Sequence, residues 1–321
     1  MSEKFKFLEI VIILTRSCNK KECSYCQVKK DYKVNKLENN LYQLIEFLKN
    51  SPVKSVRFLG GEPLLKYKKI KQIIKNLPDK NFIINTNGLL LTKAKSDFFK
   101  KYNIKIILSH DGQEPDLKIN RYYTDKQIAV INENLINLEN YQKQTQINLT
   151  VSPQTIDNLY NNLAYIYKLG FKKINILPVF YQNWPQSQLR LLKLELSKIL
   201  VNLNKFKQLE LINLKSFSYL PLFKNSLLID CDGNIFFSTA VIEKFFHQYR
   251  KEFIKANMMI LSEKKKNYSE LNFKEIEDYN KKIDKLIINE FSHTVITSTE
   301  KVNRIFENFI NKYLKINKAN L

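Results

Sequence analysis

Glycine is scarce in this chain of 321 residues, which has six, and cysteine and histidine number only four and three. No apolar run approaches the ~18 residues of a membrane span, so the sequence offers no candidate for a membrane helix. Residues 8–14, Leu-Glu-Ile-Val-Ile-Ile-Leu, are too short and carry Glu9, and they read as a buried strand rather than a signal peptide. Three of the four cysteines fall within nine residues while Cys231 stands alone. A disulfide-stapled secreted protein would distribute them otherwise. The expectation is a reducing, cytoplasmic compartment without membrane association. No internal repeat and no low-complexity linker occurs.

What the chain does have is core material and positive charge. Hydrophobic residues make up 44%, which excludes disorder by composition. The net charge is +22, from 53 Lys and Arg against 31 Asp and Glu. A balance this basic raises nucleic acid or an acidic partner. The excess is mostly Lys spread along the chain, and the runs Lys20-Lys21 and Lys264-Lys265-Lys266 are short. Nucleic acid stays open as a partner without being favoured.

Short β-branched runs alternate with amphipathic stretches as far as residue 180. The runs are Leu8–Leu14, Ser55–Leu59, Asn81–Asn85, Ile104–Ser109, Ile147–Val151 and Lys173–Leu177. Between them Leu37–Leu48, Ile70–Leu77 and Thr155–Leu169 carry helical patterns. This rhythm predicts an α/β fold of βαβ units around a parallel sheet, either a partial (β/α)6 barrel or an open doubly wound sheet. Gly60, Gly61, Gly88 and Gly112 follow strands two, three and four. That is the edge where parallel α/β folds bind ligands, so these glycines point to backbone brought close to a ligand. Gly170 reads as a helix C-cap.

Beyond residue 180 the pattern changes. Pro185 and Ser187 introduce a helix with Leu189, Leu192, Leu196 and Ile199 on one face. Residues 227–237 read as a hairpin turning at Asp232-Gly233. The last helix carries Val302, Ile305, Phe306, Phe309, Ile310, Tyr313 and Leu314 at helical spacing. The expected division is a core over 1–180, a helix and hairpin over 181–240, and a helical extension over 241–321.

Cys18-x4-Cys23-x2-Cys26 follows the first strand. Three thiolates this close can share one metal centre, and soft sulfur suits zinc or iron–sulfur. A structural zinc site needs a fourth ligand, and Cys231, His110, His247 and His293 offer no paired spacing. Three cysteines alone suit a [4Fe-4S] cluster with one open iron.

The loop resembles the C-x3-C-x2-C loop of radical S-adenosylmethionine (SAM) enzymes, with one extra residue in the first gap and with Tyr25 before the third cysteine. Phe58-Leu59-Gly60-Gly61-Glu62-Pro63-Leu64 is similar to that family's Gly-Gly-Glu-Pro motif. Asn85-Thr86-Asn87-Gly88 and Ser109-His110-Asp111-Gly112 resemble its third and fourth strand ends, and Arg121 an arginine facing the cofactor carboxylate. The resemblance, over roughly residues 5–180, implies a partial (β/α)6 barrel with a C-terminal hairpin and helical extension. It implies a [4Fe-4S] cluster on Cys18, Cys23 and Cys26. It also implies SAM held by Tyr25, Gly60, Gly61, Glu62, Pro63, Asn87, Ser109, Asp111 and Arg121, with Glu62 near the methionine ammonium.

Within the family the chain looks most like the peptide- and protein-modifying maturases. Their C-terminal SPASM or twitch extension is echoed by the hairpin Ile229–Ile235, but its auxiliary-cluster cysteines are absent and Ser238 falls near one such position. The implied chemistry is reductive cleavage of SAM to a 5′-deoxyadenosyl radical that takes hydrogen from a peptide or protein. A flavodoxin or ferredoxin would be the electron donor. Cys231 is the candidate catalytic residue, as a hydrogen-atom donor or as a ligand, against a plain buried thiol in a hairpin. Two other functions remain: modification of RNA or a nucleotide, and a non-catalytic iron–sulfur scaffold.

Overall fold

The computed structural model describes residues 7–20, 22–26, 28, 36–212, 226–264 and 275–319. Lys21, Lys265 and Lys266 of the two short basic runs lie outside the described residues. Among the described residues there are ten strands, beginning with β1 (Glu9–Ile13), β2 (Ser55–Leu59), β3 (Asn81–Thr86), β4 (Lys105–Ser109) and β5 (Thr145–Val151). They continue with β6 (Lys173–Pro178), β7 (Glu210–Leu211), β8 (Ser226–Ile229), β9 (Asn234–Phe236) and β10 (Ala256–Asn257). The six expected runs are β1 to β6. The chain forms two compact units, one of Met1–Asn19, Gln27–Ile106 and Leu222–Leu286, the other of Lys20–Cys26, Ile107–Pro221 and Ile287–Leu321. The division passes through the cysteine loop and through β4.

In the first unit the strand order is β10-β9-β8-β1-β2-β3. β8, β1, β2 and β3 run parallel, while β9 and β10 are antiparallel additions. All five residues of β1 are buried, which accounts for its unbroken apolar run. Its one acid, Glu9, accepts from Arg57 Nε at 2.8 Å and from Ser226 Oγ at 3.1 Å, side chains of the two flanking strands. Ile13 lies level with Leu59, and Ile12 with Ile229. The loops after β1, β2 and β8 therefore leave the sheet at one edge. The hairpin expected at Asp232-Gly233 is present: Gly233 N–H donates to Asp230 O at 2.7 Å with φ at +80°. Its first strand also pairs with β1, extending the parallel sheet.

The second unit holds β5, β6 and β7, parallel and in that order. Leu189, Leu192, Leu196 and Ile199 form the buried face of the helix Gln186–Val201, as their spacing requires. Glu195 shares that face because its carboxylate accepts from Tyr160 N–H at 2.9 Å. In the helix His293–Ala319 the expected apolar face is buried as far as Tyr313, whereas Leu314 is 36% exposed. Trp184 is a packing residue, donating from Nε1 to Val179 O at 2.9 Å. Tyr181 stacks on Phe291 with ring centres 4.8 Å apart. The stretch Leu37–Leu48 is two helices, Lys36–Asn39 and Leu41–Lys49, with Asn40 between them.

Candidate active site

In the first unit the loop after β2 is fastened to the loop after β1. Gly61 N–H donates to Thr15 O at 3.2 Å, and Glu62 N–H donates to Ser17 O at 2.8 Å. A Cβ on Gly61 would stand 2.1 Å from Ser17 O and 2.4 Å from Arg16 O. One on Gly60 would stand 2.3 Å from Thr15 O, and Gly60 has φ of +138°. What meets the side-chain positions of Gly60 and Gly61 is the peptide backbone leading into the cysteines. Gly112 likewise meets the Asn162 side chain, 2.2 Å from its would-be Cβ. No side chain larger than hydrogen fits either seam.

Glu62 is fully buried and joins the ends of two strands. Its Oε1 accepts from Leu64 N–H at 3.0 Å, capping the short helix Pro63–Lys66, and from Thr86 Oγ1 at 2.8 Å. Its Oε2 accepts from Asn87 N–H at 2.8 Å. Burial raises its pKa, against the pull of those hydrogen bonds and of Lys95. Asn87, positioned by Glu62, turns its Nδ2 toward Asn19 Oδ1 at 2.8 Å and Cys18 Sγ at 3.6 Å. Pro63 is buried at the first position of the short helix, where no N–H is needed.

At the same sheet edge Asp230, after β8, is paired with Arg16, after β1, through Nη2 to Oδ2 and Nε to Oδ1. Arg250 Nη2 donates to the same carboxylate at 2.5 Å. Burial alone would raise the Asp230 carboxyl, but Arg16 and then Arg250 outweigh it and hold it below the ordinary range. Cys231 follows, 4% exposed, its thiol pushed up to about 12 by burial and by Asp230. A thiol in that state keeps its proton. That suits a small buried hydrophobe or a hydrogen-atom donor, and not a nucleophile. Ser238 accepts from Ala240 N–H at 3.1 Å and caps the turn Thr239–Ile242.

In the second unit Asp111, beyond β4, is the hub. Arg121 Nη2 donates to its Oδ1 at 2.9 Å, Thr150 N–H to the same oxygen at 3.1 Å, and Tyr25 OH to its Oδ2 at 2.8 Å. The Arg121 guanidinium also lies 5.6 Å from the Tyr25 ring centre. Desolvation holds the Tyr25 phenol well above its ordinary pKa, Arg121 opposing and Asp111 and Cys23 adding to it. Ser109 is the half-buried last residue of β4. His110 is pushed down to about 3 by burial and then by Arg121, so it is neutral; its Nδ1 accepts from Gly112 N–H at 3.3 Å. Ser24 donates from both N and Oγ to Asn120 O, and Lys20 Nζ donates to Arg121 O at 2.9 Å.

The structure thus groups Glu62 with Asn87 and Cys18 in one unit, and Tyr25 with Asp111 and Arg121 in the other. Arg16, Lys20, Thr86 and Asn120 are participants that sequence reasoning missed. A signal existed for Arg16: the chain has six arginines among 53 Lys and Arg. Four of them, Arg16, Arg57, Arg121 and Arg250, form ion pairs with carboxylates in which both partners are at most 19% exposed. A lysine cannot reproduce the planar fork that such pairing uses.

Among the described residues no three Cys, His, Asp or Glu side chains stand grouped as a metal site. The fit to a cluster rests on the donor set. Cys18, Cys23 and Cys26 are partly exposed thiols within one loop, while Cys231 is buried. Three accessible soft donors match a [4Fe-4S] cluster that keeps one iron open.

A parallel α/β sheet with three such cysteines after β1 and a Gly-Gly-Glu-Pro turn after β2 defines a class of enzyme. The chain belongs to the radical SAM superfamily, whose family model matches residues 12–186. It is similar to the radical SAM cyclopropyl synthase TigE of Paramaledivibacter caminithermalis, at 25% identity over 213 residues. That match covers 57% of this chain and 44% of TigE, so the chain spans less than half the length of this curated relative. Among solved structures, anSMEcpe with bound AdoMet and Kp18Cys peptide matches with a TM-score of 0.67 at 14% identity, covering 97% of this chain and 99% of that one. SuiB of Streptococcus suis, bound to precursor peptide SuiA, matches with a TM-score of 0.51 at 16% identity, covering 72% and 59%. These likenesses show the fold: the parallel sheet is that of the radical SAM partial barrel, with C-terminal antiparallel strands and helices. Among the described residues no helix is long and apolar enough to cross a membrane.

Proposed function

We propose that this protein is a radical SAM enzyme that modifies a peptide or protein, with a [4Fe-4S] cluster on Cys18, Cys23 and Cys26. Superfamily membership supports the cofactor pair. The name of TigE and the peptides bound in anSMEcpe and SuiB support the reaction and substrate classes. The observation that carries the reading is Glu62, whose buried carboxylate ties the turn after β2 to the end of β3 while its N–H holds the loop that carries Cys18. So elaborate a support has a purpose if the loop must present sulfur in a set position.

When bound, the cluster supplies one electron that splits the sulfonium bond of SAM, yielding methionine and a 5′-deoxyadenosyl radical that takes hydrogen from an unactivated carbon. The chain's own residues bind and orient. Gly60, Gly61, Glu62, Pro63 and Asn87, with Tyr25, Ser109, Asp111 and Arg121, are proposed to hold SAM. Asp111 keeps Arg121 and Tyr25 in fixed orientations, and the neutral His110 carries no charge into that hub. Cys231 keeps the S–H that a hydrogen-atom donor needs. A flavodoxin or ferredoxin is the proposed electron donor. The test is anaerobic reconstitution with iron and sulfide, reduction, addition of SAM and assay for 5′-deoxyadenosine. Production that is lost in Cys23→Ala supports the reading, and a loaded protein that never cleaves SAM, even with candidate peptides, overturns it.

A further inference from the structure

The first cysteine gap holds four residues, Asn19 to Glu22, one more than the three-residue gap it resembles. Besides Asn19, which accepts from Asn87, Lys20 has a defined place in this gap. Lys20 Nζ stands 3.1 Å from Cys23 Sγ and 2.9 Å from Arg121 O. It also lies 5.3 Å from the centre of the Tyr123 ring. Arg121 O belongs to the last turn of the helix Glu114–Arg121, where the outward carbonyls carry the negative end of the helix dipole. The neighbouring Asn120 O takes two hydrogen bonds from Ser24. The loop is therefore held to the end of this helix by Lys20 and Ser24, on either side of Cys23.

We propose that Lys20 is a positioning residue for Cys23, and that its ammonium, set against the Cys23 sulfur, raises the reduction potential of the cluster. This rests on the reading of Cys18, Cys23 and Cys26 as cluster ligands. Reduction by one electron, from a flavodoxin or ferredoxin in the cell or dithionite in vitro, adds a negative charge to the cluster and its thiolates. Hydrogen bonds and cations at the ligand sulfurs favour the form with more negative charge. Lys20 brings such a cation from within the longer gap, and the helix carbonyl and the aromatic ring keep it from turning away.

The experiment compares the full chain with Lys20→Met and Lys20→Arg, all reconstituted anaerobically. Iron and sulfide are quantified, and the reduced cluster is followed by electron paramagnetic resonance at a series of poised potentials. Lys20→Met is expected to shift the oxidised-to-reduced ratio about tenfold toward the oxidised form, which is about 59 mV for a one-electron couple. Lys20→Arg is expected to stay near the wild type. Equal potentials in loaded wild type and loaded Lys20→Met overturn the assignment while leaving the enzyme reading intact. A wild type that binds no cluster defeats the ligand reading itself, and the assignment with it. If Lys20→Met cannot retain a cluster, Lys20→Gln, which keeps an N–H donor and loses the charge, provides the same comparison.

Discussion

Glu62 is where a small perturbation should have the largest legible effect. Its carboxylate accepts from Leu64 N–H, Thr86 Oγ1 and Asn87 N–H, at 3.0, 2.8 and 2.8 Å, with no exposure to solvent. Glu62→Ala leaves three buried donors without an acceptor. Each orphaned group costs about 1–3 kcal/mol, and with partial relaxation about 4 kcal/mol in all is expected. At about 2–4 °C per kcal/mol for a unit of this size, the melting temperature falls by about 8–16 °C. Glu62→Gln keeps one oxygen but turns an amide N–H₂ toward a donor, and it should lose about 1–3 kcal/mol. The pH dependence supplies a second, independent check. The folded-state pKa of Glu62 lies above its ordinary 4.5 because burial outweighs its hydrogen bonds. Its contribution is thus full below about 4.5 and is lost as the pH rises through the folded value. The stability gap between wild type and Glu62→Gln should narrow with rising pH across that window. Denaturant unfolding at a series of pH values measures it. A gap that widens with pH, or a Glu62→Ala that unfolds within about 0.5 kcal/mol of wild type, the usual range for a surface change, would refute this account of the turn.

Three further expectations follow from the same contacts. Arg121→Met leaves Asp111 buried without its cation and should cost about 3–5 kcal/mol; the double variant with Asp111→Asn should recover much of it in an unfolding assay. Gly61→Ala forces a Cβ into Ser17 O and Arg16 O, 2.1 and 2.4 Å away. It is expected to destabilise by about 3 kcal/mol and to lower the iron bound per chain after reconstitution, both absent if the seam can open freely. Native metal-free protein treated with iodoacetamide near pH 8 should be alkylated at Cys18, Cys23 and Cys26 but not at Cys231. Its thiol is buried and pushed up to about 12. Peptide mass spectrometry reads the pattern, and rapid labelling of Cys231 would contradict the placement.

Local pattern determined a good deal of this protein. Strands show as β-branched runs because a strand buried on both faces needs apolar side chains throughout, and β1 is buried at every position. The Gln186–Val201 and His293–Ala319 helices show because their buried residues recur at helical spacing. The three cysteines and the Gly60–Pro63 turn are contiguous motifs, legible without any knowledge of how the chain closes. Tertiary structure alone decided which distant residues complete them. Asp230 meets Arg16 because β8 pairs in parallel with β1, a register set over more than two hundred intervening residues that no periodicity encodes. That Gly60 and Gly61 press against the backbone of Thr15, Arg16 and Ser17 is likewise seen only in the folded chain. Lys20 is one lysine among many in the sequence. What singles it out is the placing of Cys23 Sγ, a helix carbonyl and an aromatic ring around a single ammonium, an arrangement fixed by packing across a hundred residues and not by composition.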